Sequence, residues 1–236
     1  MKKQRQMIYY MIEILFLLTI FCFMLLIKNT YSVSSVYDFG MFLIIALFII
    51  GISWIIGPKL NRLFCLFILG VYSLYFVAQN VYFRAFAQYF RFSTALGLKN
   101  EVAGVSSEIK ELLLASDFLP FIALVIIIAL FVALYIILQK KVEVKIGFRL
   151  FGLLLLCVSV SLLIITVNKI NSTKDSVRNF DIYKSDYYVY DVIPNTNQFV
   201  DKFGLNGLLI RDAQLTIVSN TANEEDTKMV DDYYYE

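Results

Sequence analysis

Residues 118–138 read FLPFIALVIIIALFVALYIIL and contain no charged side chain. A helix needs roughly 20 apolar residues to cross a hydrocarbon layer about 30 Å thick, and this stretch meets that requirement. Pro120 falls in the first helical turn, where its missing N–H group is tolerated. The stretch therefore predicts a transmembrane helix.

Four other apolar stretches have the same character, so the sequence predicts five spans at about 7–27, 39–56, 63–81, 118–138 and 148–167. With 59% hydrophobic residues and a mean hydropathy of +0.71, the chain carries more apolar surface than one water-soluble core buries, which excludes a soluble enzyme. We predict an all-α polytopic membrane protein, with a transmembrane module at 1–167 and a mostly irregular extracytoplasmic linker at 168–236.

Lysines and arginines set the predicted orientation. The first span is interpreted as a retained anchor rather than a cleaved signal peptide, because its apolar run is longer than a typical signal core and no small-x-small site follows Ile27. With the N-terminus inside, the cytoplasmic segments hold nine basic residues, and the longest outer loop is less densely basic. The predicted location is the plasma membrane, with the N-terminus cytoplasmic and the C-terminus extracellular.

Several classes of chemistry have no residues to carry them. The chain contains no histidine, which excludes catalytic triads and the usual mixed zinc sites. The three cysteines fall inside separate apolar runs and are interpreted as packing residues. Four acidic residues between positions 101 and 117 lack the periodicity of a cation site, so a solvated face is the simpler interpretation. We therefore predict no catalytic residue, no metal site and no nucleic-acid partner.

The second predicted outer loop, 82–117, begins with the aromatic segment YFRAFAQYFRF at 82–92. Aromatic rings with interspersed arginines are typical of the headgroup level of a bilayer. The segment is predicted to be an interfacial helix or an extension of the third span, followed by a short amphipathic helix at 106–114. Arg84 and Arg91 are the candidate contacts for a lipid headgroup phosphate; the alternative is that they only anchor the helix at the interface.

Two groups of segments resemble the N-terminal membrane module of the lipoteichoic acid synthase family. The first group lies around the second outer loop, with NVYFR at 80–84, RFST at 91–94 and SDF at 116–118. The second group lies in the tail, where NQFVDKFGLN at 197–206 is similar to the family's linker and Arg211-Asp212 stands where that linker closes. With five spans and an outer tail, the resemblance covers essentially the whole chain.

The resemblance implies a bacterial, Gram-positive phosphoglycerol transferase that builds a cell-wall polymer from phosphatidylglycerol. It also implies an extracellular sulfatase-like catalytic domain with a threonine nucleophile and a divalent metal, usually manganese. This sequence stops where that domain begins, so we expect the chain alone to be inactive and to hold no cofactor. The expected partners are membrane lipid, phosphatidylglycerol in particular, and a catalytic domain or cell-wall synthesis proteins.

A different class of function is also compatible with an all-helical membrane protein. A non-catalytic polytopic transport or accessory subunit would handle a lipid or small solute without covalent chemistry. Transporters usually contain two matched halves with broken helices, and five spans do not divide evenly. The membrane-anchoring module of a lipoteichoic acid synthase-like enzyme is therefore the favoured prediction.

Overall fold

The computed structural model describes residues 2–31, 35–56, 58–92, 112–138, 146–174 and 185–235, and every regular element in these ranges is a helix. In chain order the α-helices are α1 (Lys2–Tyr31), α2 (Val36–Ile56), α3 (Pro58–Phe86), α4 (Leu119–Leu138), α5 (Ile146–Asn171), α6 (Asp186–Val192) and α7 (Thr196–Tyr235). A short 3₁₀ helix, Ala115–Phe118, leads into α4. The all-helical class is confirmed.

Four described helices are long and apolar enough to cross a membrane, with candidate spans at Ile14–Tyr31, Val36–Ile56, Leu63–Phe86 and Arg149–Asn171. A shorter apolar stretch covers Ala115–Leu130, which includes the first part of α4. The chain is thus a membrane-embedded helical protein. The count of five crossings stays a prediction.

Successive helices run in alternating directions. The end of α1 meets the start of α2 through Lys28 and Asp38, and the end of α3 meets the start of α4 through Arg84 and Asp117. Near the end of α5, Lys169 lies over a tyrosine ring at the start of α2. These contacts place the ends of α1, α3 and α5 at one end of the bundle. We call it the tail end, because α6 and α7 pack there.

The bundle core is apolar and continues into the tail. Side chains of α1, α2 and α3 meet at its centre, including Phe16, Met24, Phe42, Leu69 and Phe76. The first half of α7 buries its apolar side chains in the same cluster, namely Phe199, Val200, Phe203, Leu205 and Leu208. Burial of a large apolar side chain contributes about 1.5–3 kcal/mol, so this contact holds the tail against the spans.

The prediction of a mostly irregular tail is wrong. The described part of 168–236 is largely helical, since α5 extends to Asn171 and α6 and α7 follow. The tail has little helix-forming signal of its own, and short isolated helices are marginal in water. Packing against the spans supplies the missing stabilisation. Ser185 also caps α6, where its side chain accepts a hydrogen bond from the Tyr188 amide at 3.0 Å.

Two other predictions fall on the segment between α3 and α4. The extension of the third span is confirmed as far as Phe86, where α3 ends. The predicted amphipathic helix at 106–114 lies outside the described residues except for its last three positions.

Helices α2 and α5 cross at two glycines. A Cβ atom on Gly152 would lie 2.8 Å from the Gly51 carbonyl oxygen, and one on Gly51 would lie 3.0 Å from the Gly152 oxygen. Nearby, the Ser159 hydroxyl donates a 2.8 Å hydrogen bond to the Ile44 carbonyl. Small residues at such a crossing let two backbones approach closely, which drives helix association in lipid.

Replacing Gly152 by alanine should therefore destabilise the folded protein by roughly 1–3 kcal/mol, because the added methyl group meets backbone rather than a movable side chain. Thermal unfolding in detergent, followed by circular dichroism, measures the change. Gly40→Ala is the matched control, since a Cβ at Gly40 in α2 meets nothing within 4 Å. Equal melting temperatures for the two variants would contradict the close crossing.

Candidate functional site

A cluster of buried polar side chains joins the tail to the spans. We call it the docking cluster and define it by Lys28, Asp38, Tyr72, Tyr75 and Asn206. All five are less than a tenth exposed. Polar groups cost free energy when they leave water without partners, so a buried group of this kind indicates a specific, fixed arrangement.

Lys28 and Asp38 form the charged part of the docking cluster. Their side chains are 2.8 Å apart and only 2% and 0% exposed. Breaking such a pair leaves a buried, uncompensated charge, which is strongly destabilising. The pair therefore fixes the end of α1 to the start of α2.

Gly204 divides α7 into two helical segments, with φ 72° and ψ 175° at the break. A Cβ atom there would lie 1.8 Å from Asp38 Oδ1, so the carboxylate occupies the space that any side chain would need. Only glycine adopts this backbone conformation readily. The second segment begins beside Asp38, where a negative charge favours a helix N-terminus.

Ser35 connects the start of α2 to the first segment of α7. Its hydroxyl donates a hydrogen bond to the Lys202 carbonyl and accepts one from the Asp38 amide at 3.0 Å. The serine thus caps the N-terminus of α2 and satisfies one of the last carbonyls before the kink. The direction of α7 is consequently fixed from α2.

Two tyrosines of α3 hold the second segment of α7. The Tyr72 hydroxyl donates to Asn206 Oδ1, and the Tyr75 hydroxyl donates to the Leu205 carbonyl, both at 3.0 Å. These bonds reach the first turn after the kink. Together with the Asp38 contact, they attach α7 to two different spans.

The chain that follows α3 turns back and joins this assembly. Gln79 and Phe90 exchange two hydrogen bonds of 2.9 Å, in which Nε2 donates to the carbonyl and the amide donates to Oε1. The Phe92 amide donates to the Asp212 carboxylate. Asn197 Nδ2 also donates a 2.7 Å hydrogen bond to the carbonyl of Ala87. Segment 87–92 is thereby held against both α3 and the tail.

The predicted site residue Arg84 is paired within the protein. Its guanidinium contacts the Asp117 carboxylate, which is 1% exposed and also accepts a 2.9 Å hydrogen bond from the Leu114 amide. Arg84 itself is about one quarter exposed. Arg91 lies in segment 87–92, between Phe90 and Phe92, whose rings meet edge to face. Contact of either arginine with a lipid headgroup stays a prediction.

Two further ion pairs join α6 to α7 within the tail. Lys202 and Asp186 are 2.8 Å apart, and the same carboxyl group accepts a 3.1 Å hydrogen bond from the Tyr37 hydroxyl. Arg211 pairs with Asp191 at 2.8 Å.

Arg211 also stabilises the end of α6 directly. It donates 3.1 Å hydrogen bonds to the carbonyls of Tyr190 and Asp191, which are among the last of that helix. Burial raises the pKa of the Tyr190 hydroxyl, and the nearby Arg211 charge only partly opposes the shift. Tyr190 therefore stays neutral and donates to Gln214 Oε1 at 3.2 Å.

The arrangement holds the tail against the spans. In the described part of the chain, no group of three or more carboxylate and thiol side chains is placed to hold a metal ion. The polar contacts instead link α1, α2, α3 and segment 87–92 to the tail.

Sequence reasoning missed most of this site. Lys28 and Asp38 were available as a signal, because each charge borders a long apolar run and such charges usually need a partner. Their mutual pairing and their contact with Gly204 depend on the tail folding back, which no local pattern shows.

Comparison with known protein families shows which family this chain matches. The model of the lipoteichoic acid synthase N-terminal domain matches residues 1–224. The chain belongs to this family. Comparisons with curated proteins and with solved structures found no match.

The matched residues include those that attach the tail to the spans. The lipoteichoic acid synthase N-terminal domain extends through 1–224, so it includes the kink at Gly204 and the docking cluster as well as the spans. The resemblance stated from the sequence is thus confirmed over nearly the whole chain.

Proposed function

We propose that this lipoteichoic acid synthase N-terminal domain is the five-span membrane anchor of a phosphoglycerol transferase in the bacterial plasma membrane. Its N-terminus is cytoplasmic, and its tail is extracellular. In this role the module holds a catalytic domain at the outer leaflet, where phosphatidylglycerol is available. The transferase chemistry belongs to that domain and not to the residues of this chain.

The observation that carries the proposal is the docking of the tail. A flexible tether would leave whatever follows it free to move away from the membrane. Here the tail is attached to α2 and α3 by buried hydrogen bonds and by the carboxylate beside Gly204. A tail held in this way gives a following domain a defined position above the lipid.

The alternating helix directions support five crossings. The start of α4 lies beside the end of α3, and the end of α5 lies beside the start of α2. A chain with this alternation has its N-terminus and its tail on opposite sides of the bundle. The lysines and arginines of the short loops support a cytoplasmic location for the N-terminal side.

Lipid contact by Arg84 and Arg91 remains part of the proposal. Both lie at the tail end of the bundle among aromatic rings, an environment typical of the headgroup level. In this arrangement a lipid phosphate competes with Asp117 for the guanidinium of Arg84.

Labelling of intact cells tests the orientation. In a chain whose three cysteines are replaced by alanine, Ile217→Cys provides an exposed thiol near the end of the docked tail. A membrane-impermeant maleimide should label this thiol without cell lysis. Labelling that appears only after lysis would place the tail in the cytoplasm and overturn the proposal.

A further inference from the structure

The cations at the tail end differ in how they are neutralised. Four of them pair with a carboxylate, namely Lys28, Arg84, Lys202 and Arg211. Lys169 and Lys174 are exposed, and within the described residues neither forms an ion pair. Their described ring contacts are with tyrosines: Lys169 Nζ lies 5.8 Å from the Tyr37 ring centroid, and Lys174 Nζ lies 5.2 Å from that of Tyr187.

The fold brings these two ammonium groups to one surface. Tyr37 donates a hydrogen bond to Asp186, and Tyr187 is the next residue along the chain. Thr173 accepts a 3.0 Å hydrogen bond from the Tyr187 amide, which fixes the start of α6 beside the end of α5. The rings orient the lysines and leave N–H donors unused, because a ring face accepts no more than one or two of the three.

Two described carboxylates lie beside the tyrosines that contact the lysines, and each already pairs with another cation. Asp191 accepts a 3.4 Å hydrogen bond from the Tyr187 hydroxyl and pairs with Arg211 at 2.8 Å. The Asp186 carboxylate is already bound by Lys202 at 2.8 Å and by the Tyr37 hydroxyl at 3.1 Å. Around the lysines, α5 ends in exposed polar side chains without charge, Asn168, Asn171 and Ser172. Counted over the described residues, this surface is therefore positive and rich in hydrogen-bond donors.

An exposed apolar stripe leads along α5 to Lys169. Val158 and Ile165 are 40% and 62% exposed, and Ile165 lies one helical turn before Lys169 on the same face. Only 11% of the α5 span is buried, the lowest share among the four candidate spans. An acyl chain lying along this stripe would bring its phosphate to the lysines.

We propose that Lys169 and Lys174, with the adjoining face of α5, form a binding site for one anionic phospholipid. The site recognises a phosphodiester headgroup by charge and an acyl chain by apolar contact. It is separate from Arg84 and Arg91, which lie on the side of α3 and α4. That the lipid comes from the outer leaflet rests on the proposed orientation; the binding itself does not.

Native mass spectrometry of the purified chain in detergent tests this binding site. It measures how much phosphatidylglycerol and phosphatidylcholine the protein retains. The wild type should retain phosphatidylglycerol in preference to phosphatidylcholine. Lys169→Gln/Lys174→Gln should weaken retention of one phosphatidylglycerol on the order of tenfold, since each lysine near a lipid surface contributes a several-fold effect. Soluble glycerol phosphate, which lacks acyl chains, should compete poorly.

Control variants separate charge from fold. Lys169→Arg/Lys174→Arg keeps both charges and should retain the wild-type affinity. Lys174→Gln alone lies beyond the helix end and gives a smaller loss without disturbing α5. Equal retention by the wild type and the double glutamine variant would overturn the proposal, as would equal retention of the two lipids by the wild type. In detergent both sides of the protein are accessible, so lipid binding is measured without regard to orientation. A failure of this experiment is therefore distinguishable from a failure of the cell labelling, which tests orientation alone.

Discussion

Replacing Asp38 by alanine is expected to destabilise the folded protein by about 3–5 kcal/mol. The substitution leaves the Lys28 ammonium 2% exposed with no counter-charge at the 2.8 Å position that Asp38 occupies. It also removes the negative charge from the start of the second α7 segment. Thermal unfolding in detergent, followed by circular dichroism, should show the loss.

A double variant distinguishes the loss of the ion pair from the cost of leaving one buried charge unpaired. Lys28→Met/Asp38→Leu removes both charges, so no buried charge is left uncompensated, and its cost should be clearly smaller than that of Asp38→Ala. If the single and double variants unfold at the same temperature, the ion pair does not have the role assigned to it.

Replacing Gly204 by alanine is expected to cost more than about 3 kcal/mol, since an unfavourable backbone conformation adds about 1–3 kcal/mol to a severe clash. The new Cβ would lie 1.8 Å from Asp38 Oδ1, and φ is +72°. Unfolding in detergent measures the effect. Gly70→Ala is the matched control, because its Cβ would make an ordinary 3.8 Å contact with Leu124.

A Cβ at Gly204 would clash with one residue, Asp38, so a double variant can test this contact. Shortening Asp38 to alanine removes Oδ1 and Cγ, the two atoms nearest to a Cβ at Gly204, and leaves only the Cβ of residue 38 at 2.7 Å. The costs of Asp38→Ala and Gly204→Ala should therefore be less than additive when the two are combined. Strictly additive costs would show that Asp38 does not lie against the kink.

The membrane spans were predictable from the sequence because a lipid-crossing helix is a local property of about 20 residues. The described helices α2, α3 and α5 contain the predicted spans 39–56, 63–81 and 148–167. Gly204 is a further local signal, since glycine is common where a helix ends, and the structure places the kink of α7 at this residue.

The helices of the tail were not predictable in the same way. Residues 205–218 mix apolar and polar side chains without a long uniform run. Their stabilisation comes from contacts with residues more than 100 positions earlier, such as Tyr72 with Asn206 and Tyr75 with Leu205. Such pairings depend on tertiary structure, which local composition does not encode.

The candidate site was predictable only in part. The aromatic and arginine-rich sequence at 82–92 predicts a segment at the membrane interface, with Arg84 and Arg91 as candidate contacts for a lipid headgroup. The partner of Arg84 is Asp117, which lies 33 residues away, beyond the segment between α3 and α4. Asp117 was interpreted from the sequence as part of a solvated face, and that interpretation is wrong because the side chain is 1% exposed.

The central claim is that the tail is a packed part of the membrane module. Thiol labelling of the purified protein tests it by comparing two positions on α7, Leu208→Cys and Ile217→Cys, in the cysteine-free chain. Leu208 is fully buried and Ile217 is 66% exposed. Docking predicts that Cys at 217 reacts at least tenfold faster than Cys at 208, and that denaturation removes the difference. Equal rates in the folded protein would show that the tail is free of the bundle and would contradict the account.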